Sequence, residues 1–171
     1  VVHRGAAQLA SEWDSYTIPA DSGDLVRAEE VLSQRYFDRE PLNASVPEAL
    51  EIGLRLEKLR VVSRIRSIPP ADLVALGLDW FLRGAVNDLS DIEAPWDQYR
   101  GSGTSPEIPR AEVVLQQRFI TREQLKASVP LELQLPHRLA MYKVSNRALR
   151  KVPVADIVAV AMDRWLRLMG F

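Results

Sequence analysis

The sequence predicts a mainly α-helical protein made of two repeated halves that share one small antiparallel β-ribbon. Three observations predict it. The chain repeats itself at an offset of 83: Trp13-Asp-Ser-Tyr16 returns as Trp96-Asp-Gln-Tyr99, Arg27–Tyr36 as Arg110–Phe119, and Arg39–Pro47 as Arg122–Pro130. Self-similarity at a fixed period marks a tandem duplication. Each half then closes, now at an offset of 84, on a stretch that is apolar around most of a helical circumference, Ile68–Arg83 and Val152–Arg167. A helix of that kind is buried on several sides. Finally, a short run after a proline alternates apolar and polar residues, Ala49–Ile52 in one half and Leu131–Leu135 in the other. Period two marks a half-buried strand, and a strand this short needs the other half's copy as its partner.

In chain order, each half opens with the Trp-Asp-x-Tyr segment and a loop rich in Pro, Gly and Ser (18–24 and 101–109). An amphipathic helix is expected over 27–37 and 110–120. Asp38 and Thr121 look like N-caps of a short second helix, with Thr121 and Gln124 at capping-box spacing. Val46-Pro47 and Val129-Pro130 should stop that helix, because proline biases the preceding residue away from it. The alternating run comes next and is broken at Gly53 and Pro136. A basic amphipathic helix follows, over 55–67 and 138–150, then a tight turn and the apolar closing helix. In the closing helices Asp72, Asp79 and Arg83, matched by Asp156, Asp163 and Arg167, share one narrow stripe. That stripe is expected on the outer edge of a four-helix core, with Gly77 and Ala161 where helices approach closely. Residues 1–86 thus form repeat one, 87–109 a linker and 110–171 repeat two.

Composition narrows the function. At 47% apolar and 26% charged residues the chain is globular rather than disordered. The absence of cysteine excludes disulfides, thiolate catalysis and cysteine metal sites. No apolar run approaches the roughly 18–20 residues of a membrane span, so a cytoplasmic location is expected. His3 and His137 have no ligand partner at helical spacing, and no phosphate-binding glycine loop is present. No catalytic residue, metal or cofactor is therefore expected. The net charge of −1 is no global signature of a nucleic-acid binder, but the charges are segregated. Arg55, Lys58, Arg60, Arg64 and Arg66 face one acid, Glu57, and the stretch from Arg138 to Lys151 has no acid at all.

Strand, Pro or Gly, basic helix, tight turn and apolar helix within about 40 residues resembles the ribbon–helix–helix family of DNA-binding domains. In the second half the residues that carry the likeness are Leu131-Glu-Leu-Gln-Leu-Pro136, Leu139, Leu149, Val152-Pro-Val-Ala-Asp-Ile-Val and Trp165-Leu166. In the first they are Leu50, Ile52, Leu56, Leu59, Ile65, Asp72-Leu-Val and Phe81-Leu82. The likeness covers 47–86 and 130–168, each preceded by a helical extension outside it. It implies that the two units form one pseudo-two-fold domain within a single chain. It also implies that the strands enter the major groove of duplex DNA while helix ends and basic side chains grip phosphates. The implied process is plasmid maintenance, conjugative transfer or transcriptional control, at the nucleoid or a plasmid, with self-association along DNA or a protein partner left open.

The resemblance implies Ala49, Glu51, Glu132 and Gln134 as the outward ribbon residues. Gln134 can pair adenine, whereas Glu51 and Glu132 would repel phosphates. Arg55, Arg64, Arg66, Arg138, Arg147, Arg150 and Lys151 are the implied phosphate patch. Pro69-Pro70 and Pro153 remove donors from the helix starts, which makes the first half the weaker one for DNA. Two other readings stand beside this. One is a helical scaffold or protein-interaction protein whose repeats have lost DNA binding. The other is a pair of helix-turn-helix readers at 27–44 and 110–127, presenting Arg39, Arg122 and Lys126. The Trp-Asp-x-Tyr segments are read as pins between loop and core rather than as binding platforms.

Overall fold

The computed structural model describes Trp13, Tyr16, Ile18 and residues 26–62, 68–84 and 108–171. Among these, the chain is mostly helical with one two-stranded antiparallel sheet. The first half runs α1 (Ala28–Leu32), β1 (Arg39–Pro47), a 3₁₀ turn at Glu48–Leu50, α2 (Ile52–Val62) and α3 (Pro70–Leu82). The second runs α4 (Ala111–Val114), β2 (Arg122–Pro130), a 3₁₀ turn at Leu131–Leu133, α5 (Leu135–Ser145), a 3₁₀ turn at Arg147–Leu149 and α6 (Val154–Leu168).

The strands correct the sequence reading. They lie where a short second helix was expected, so Asp38 and Thr121 are not helix caps. The runs read as strands, Ala49–Ile52 and Leu131–Leu135, are instead the 3₁₀ turns and the first residues of α2 and α5. The helices expected over 27–37 and 110–120 stop at Leu32 and Val114. The physical reason is visible in the strands: Leu42, Ala44 and Val46 are buried and alternate with Pro41, Asn43 and Ser45, as Leu125, Ala127 and Val129 alternate with Gln124, Lys126 and Ser128. Leu and Ala are good helix formers in isolation. Pairing with the other half overrides that weak preference, because the period-two face can then be buried.

β1 pairs β2 in a register that places Asn43 opposite Lys126, Leu42 opposite Ala127 and Ser45 opposite Gln124. The pairing runs past the strand ends, where the Glu48 amide donates to the Thr121 carbonyl and the Leu131 amide to the Asp38 carbonyl, both at 2.8 Å. The 3₁₀ turn after each strand ends on a residue in the left-handed region, Glu51 at φ 49° and Gln134 at φ 50°. That reversal turns the chain from ribbon into α2 and α5.

The halves are interlocked. α3 packs beneath β2, α6 beneath β1, and α3 and α6 pack on each other. Both closing helices are buried over most of their circumference, as their apolar sequence requires. Gly77 lets them meet: a Cβ there would stand 2.9 Å from the Met162 sulfur and 3.1 Å from Trp165 Cε3. The Asp stripe does not lie on an outer edge. Asp79 and Asp163 are buried, each accepting from an arginine of the other half. Trp13 and Tyr16 pack edge to face at 5.3 Å, half-buried against the core, while Trp96 and Tyr99 lie outside the described residues. Among the described residues no helix is long and apolar enough to cross a membrane.

Candidate nucleic-acid interface

Because side chains alternate across a strand, burying Leu42, Ala44, Val46 and their counterparts turns the intervening residues outward. The outward row on β1 is Arg39, Pro41, Asn43 and Ser45; on β2 it is Arg122, Gln124, Lys126 and Ser128. Paired across the ribbon, Pro41 stands beside Ser128 at one end, Asn43 beside Lys126 in the centre and Ser45 beside Gln124 at the other end. Pro41, Asn43, Gln124, Lys126 and Ser128 are exposed and Ser45 half-buried. This middle of the outward face offers hydroxyls, amides and one ammonium, with no carboxylate.

Each end of the ribbon is tied to the start of a closing helix. Arg39 Nη1 donates to Asp72 Oδ1 at 2.9 Å and to the Ser128 carbonyl at 2.6 Å. Arg122 Nη1 does the same with Asp156 Oδ1 at 2.8 Å and the Ser45 carbonyl at 2.7 Å. Asp72 and Asp156 sit in the first turns of α3 and α6, where acids favour the helix dipole. The two arginines neutralise them and fix both helix starts beside the ribbon ends. In the second half, the turn leading into α6 carries Arg147, Arg150 and Lys151, all exposed.

The candidate residues from the sequence divide sharply. Ala49, Glu51, Glu132 and Gln134 are exposed but lie off the ribbon, in or at the end of the 3₁₀ turns. The displaced strands put them there. Glu132 lines an open groove with Arg35, Tyr36, Phe37, Asp38 and Arg39. Arg55 and Arg138 cannot grip phosphate. Arg55 Nη1 donates to Asp163 Oδ1 at 2.7 Å and its Nε to the Phe171 carbonyl at 3.1 Å; Arg138 Nη1 donates to Asp79 Oδ1 at 2.8 Å. Both are core residues because the helix face that carries them packs against the opposite half. Burial pushes the Arg55 pKa below its ordinary value, against the pull of Asp163. Arg64 and Arg66 lie outside the described residues.

The buried carboxylates do a second job. Asp79 Oδ2 accepts from the Ala28 amide at 3.0 Å and Asp163 Oδ2 from the Ala111 amide at 2.9 Å, so each holds the start of the short helix before its own strand. The segments at 27–44 and 110–127 are therefore short helices leading into strands, not helix-turn-helix units. Of the residues that reading named, Arg39 and Arg122 are taken up by Asp72 and Asp156, and Lys126 is presented on the ribbon. Between short helix and strand, Tyr36 and Phe119 are 80% and 82% exposed, each with the preceding arginine 5.4 Å from its ring. Sequence reasoning missed Pro41, Asn43, Ser45, Gln124 and Ser128. The signal that could have found them is the alternation of Leu42, Ala44 and Val46, repeated in Leu125, Ala127 and Val129.

Among the described residues no group of His, Asp and Glu could hold a metal ion. No protein-family model, curated protein or solved structure matches the chain significantly.

Proposed function

We propose that the chain is a tandem ribbon–helix–helix protein that binds duplex DNA by laying its β1–β2 ribbon in the major groove, without catalysing a reaction. The observation that carries this is the ribbon's outward middle: Asn43, Ser45, Gln124, Lys126 and Ser128, free of carboxylates, on a strand pair formed between the halves. A two-stranded ribbon fits a major groove about 12 Å wide, and amides, hydroxyls and lysine are the groups that read base edges there. The closing-helix starts, held at the ribbon ends by Arg39 and Arg122, would meet the flanking phosphates. Exposed Arg147, Arg150 and Lys151, in the turn before α6, would add phosphate contacts. Glu51 and Glu132 lie off the outward face of the ribbon, in or at the end of the 3₁₀ turns that follow the strands.

The test is a binding titration of the full chain with duplex DNA across salt concentrations. Retention at low salt, a log–log slope of several units and loss of affinity in Lys126→Ala would support the reading. No retention at low salt would overturn it. In that event the rival reading, a protein-interaction scaffold, gains weight from exposed Tyr36 and Phe119, residue types that anchor partners.

A further inference from the structure

We infer that the DNA site of this chain lacks dyad symmetry and that the chain occupies it in one orientation, with the Gln124 end of the ribbon making most of the base contacts. This rests on the ribbon–DNA reading and adds the chemistry of the site. In a ribbon made by two identical chains, equivalent positions carry the same residue, so the two half-sites must match. Here the pseudo-dyad passes between Asn43 and Lys126, and the equivalent outward pairs are Pro41 with Gln124, Asn43 with Lys126, and Ser45 with Ser128. Of these three only the serines are alike, and at the ribbon ends the equivalent residues, Arg39 and Arg122, are both taken up by helix aspartates.

The differences change what can be read. Gln124 can make two hydrogen bonds to an adenine edge, whereas Pro41 offers none. Beside the dyad, Lys126 donates to guanine O6 and N7, while the Asn43 amide matches adenine N6 and N7. The preferred bases therefore differ on the two sides of the centre.

A second asymmetry points to the same end. Gln124 lies two residues from Arg122, which is bonded to Asp156 in the first turn of α6. That helix begins Pro153-Val154, so Val154 keeps its N–H, and the turn before it carries the exposed Arg147, Arg150 and Lys151. At the Pro41 end, Arg39 is bonded to Asp72 in α3, which begins Pro69-Pro70 and lacks the N–H at Pro70. Among the described residues, base-reading and phosphate-binding groups thus stand together around Gln124; Arg64 and Arg66, in the corresponding stretch of the first half, lie outside them.

The experiment is selection of the full chain on randomised duplexes, with sequencing of the retained pool. A motif that differs from its reverse complement, with stronger preference on one side, is expected. In that motif Gln124→Ala and Lys126→Ala should each lower discrimination against the altered base on the order of 10-fold to 100-fold. Both side chains are exposed, so these variants keep the fold. The double variant Pro41→Gln/Asn43→Lys equalises the two rows and should select a palindrome. A palindromic motif from the unaltered chain, or Gln124→Ala and Lys126→Ala that weaken selected and random duplexes equally, would overturn the inference while leaving DNA binding standing. No retention of any duplex at low salt would remove the ribbon–DNA reading as well.

Discussion

The guanidinium of Arg55 on α2 donates to the carboxylate of Asp163 on α6 at 2.7 Å, with both side chains 1% exposed. The symmetry-related bond joins Arg138 on α5 to Asp79 on α3. Each aspartate also accepts from the arginine four residues on, Asp163 from Arg167 and Asp79 from Arg83, but its more deeply buried arginine comes from the other half. Removing the carboxylate leaves that arginine buried without its counter-charge, a loss that typically costs about 3–5 kcal/mol. Asp163→Ala should lose about that much stability in urea unfolding, including the bond from the Ala111 amide. Arg55→Met/Asp163→Leu should recover the part owed to the buried charge but not the Ala111 bond, since apolar replacements of a buried pair are often neutral. An unshifted unfolding midpoint for Asp163→Ala would refute the buried pair. Burial depresses the Arg55 pKa, so the fold disfavours its charged form, and that penalty is relieved only as pH rises through the depressed pKa.

Gln134 changes from an expected base reader to a hinge residue, and one substitution separates the roles. At φ 50° a side chain with a Cβ costs about 1–2 kcal/mol, which glycine avoids while adding roughly 0.5–1 kcal/mol of unfolded-chain entropy. Gln134→Gly should therefore raise stability slightly, by about 0.5–1 kcal/mol net, and leave DNA affinity unchanged. A loss of binding with a stable fold would return Gln134 to the interface. Glu51→Gly should behave in the same way in the first half.

The closing helices were legible in the sequence because their apolar residues exceed what one helix face can hold, and burial on all sides was the only outcome. The existence of a ribbon shared by the halves was legible as well, but its position was not. Two runs with period two lay side by side, Leu42–Val46 and Leu50–Ile52, and local propensity favoured the wrong one. Only pairing with the other half's strand and burial of Val46 and Val129 over the closing helices distinguish them, and those contacts are invisible to a local pattern. The same non-local packing buried Arg55 and Arg138. On a helical wheel they resemble any solvated basic face until the partner carboxylates at Asp163 and Asp79 are placed.

Gly77 sets how closely α3 and α6 approach. Gly77→Ala would gain about 1 kcal/mol of helix propensity but drives a Cβ to 2.9 Å from the Met162 sulfur and 3.1 Å from the Trp165 ring. The tip of Met162 can move and the indole cannot, so a net loss of about 1 kcal/mol is expected, within the usual cost of overpacking. The loss should shrink in a Met162→Ala background, a coupling that a double-mutant cycle measures directly. Ala161→Leu, at the matching position on α6, should cost about 1–3 kcal/mol. Additive effects of Gly77→Ala and Met162→Ala would remove Met162 from the contact.

The basic residues that the sequence groups as one patch should separate into two classes when replaced singly. Arg147, Arg150 and Lys151 are exposed beside the start of α6, so replacing any of them by alanine should leave the unfolding midpoint within about 0.5 kcal/mol. If each meets one phosphate, each replacement should also lower the salt slope of duplex binding by about 0.9. Arg138 is buried against Asp79, which also keeps Arg83, so Arg138→Ala should destabilise the fold by about 3 kcal/mol, the lower end of the cost of breaking a buried pair. In the fraction that remains folded, its salt slope should equal that of the unaltered chain. A slope that falls for Arg138→Ala, or stays constant through all three exposed variants, would show that phosphate contacts lie elsewhere on the molecule.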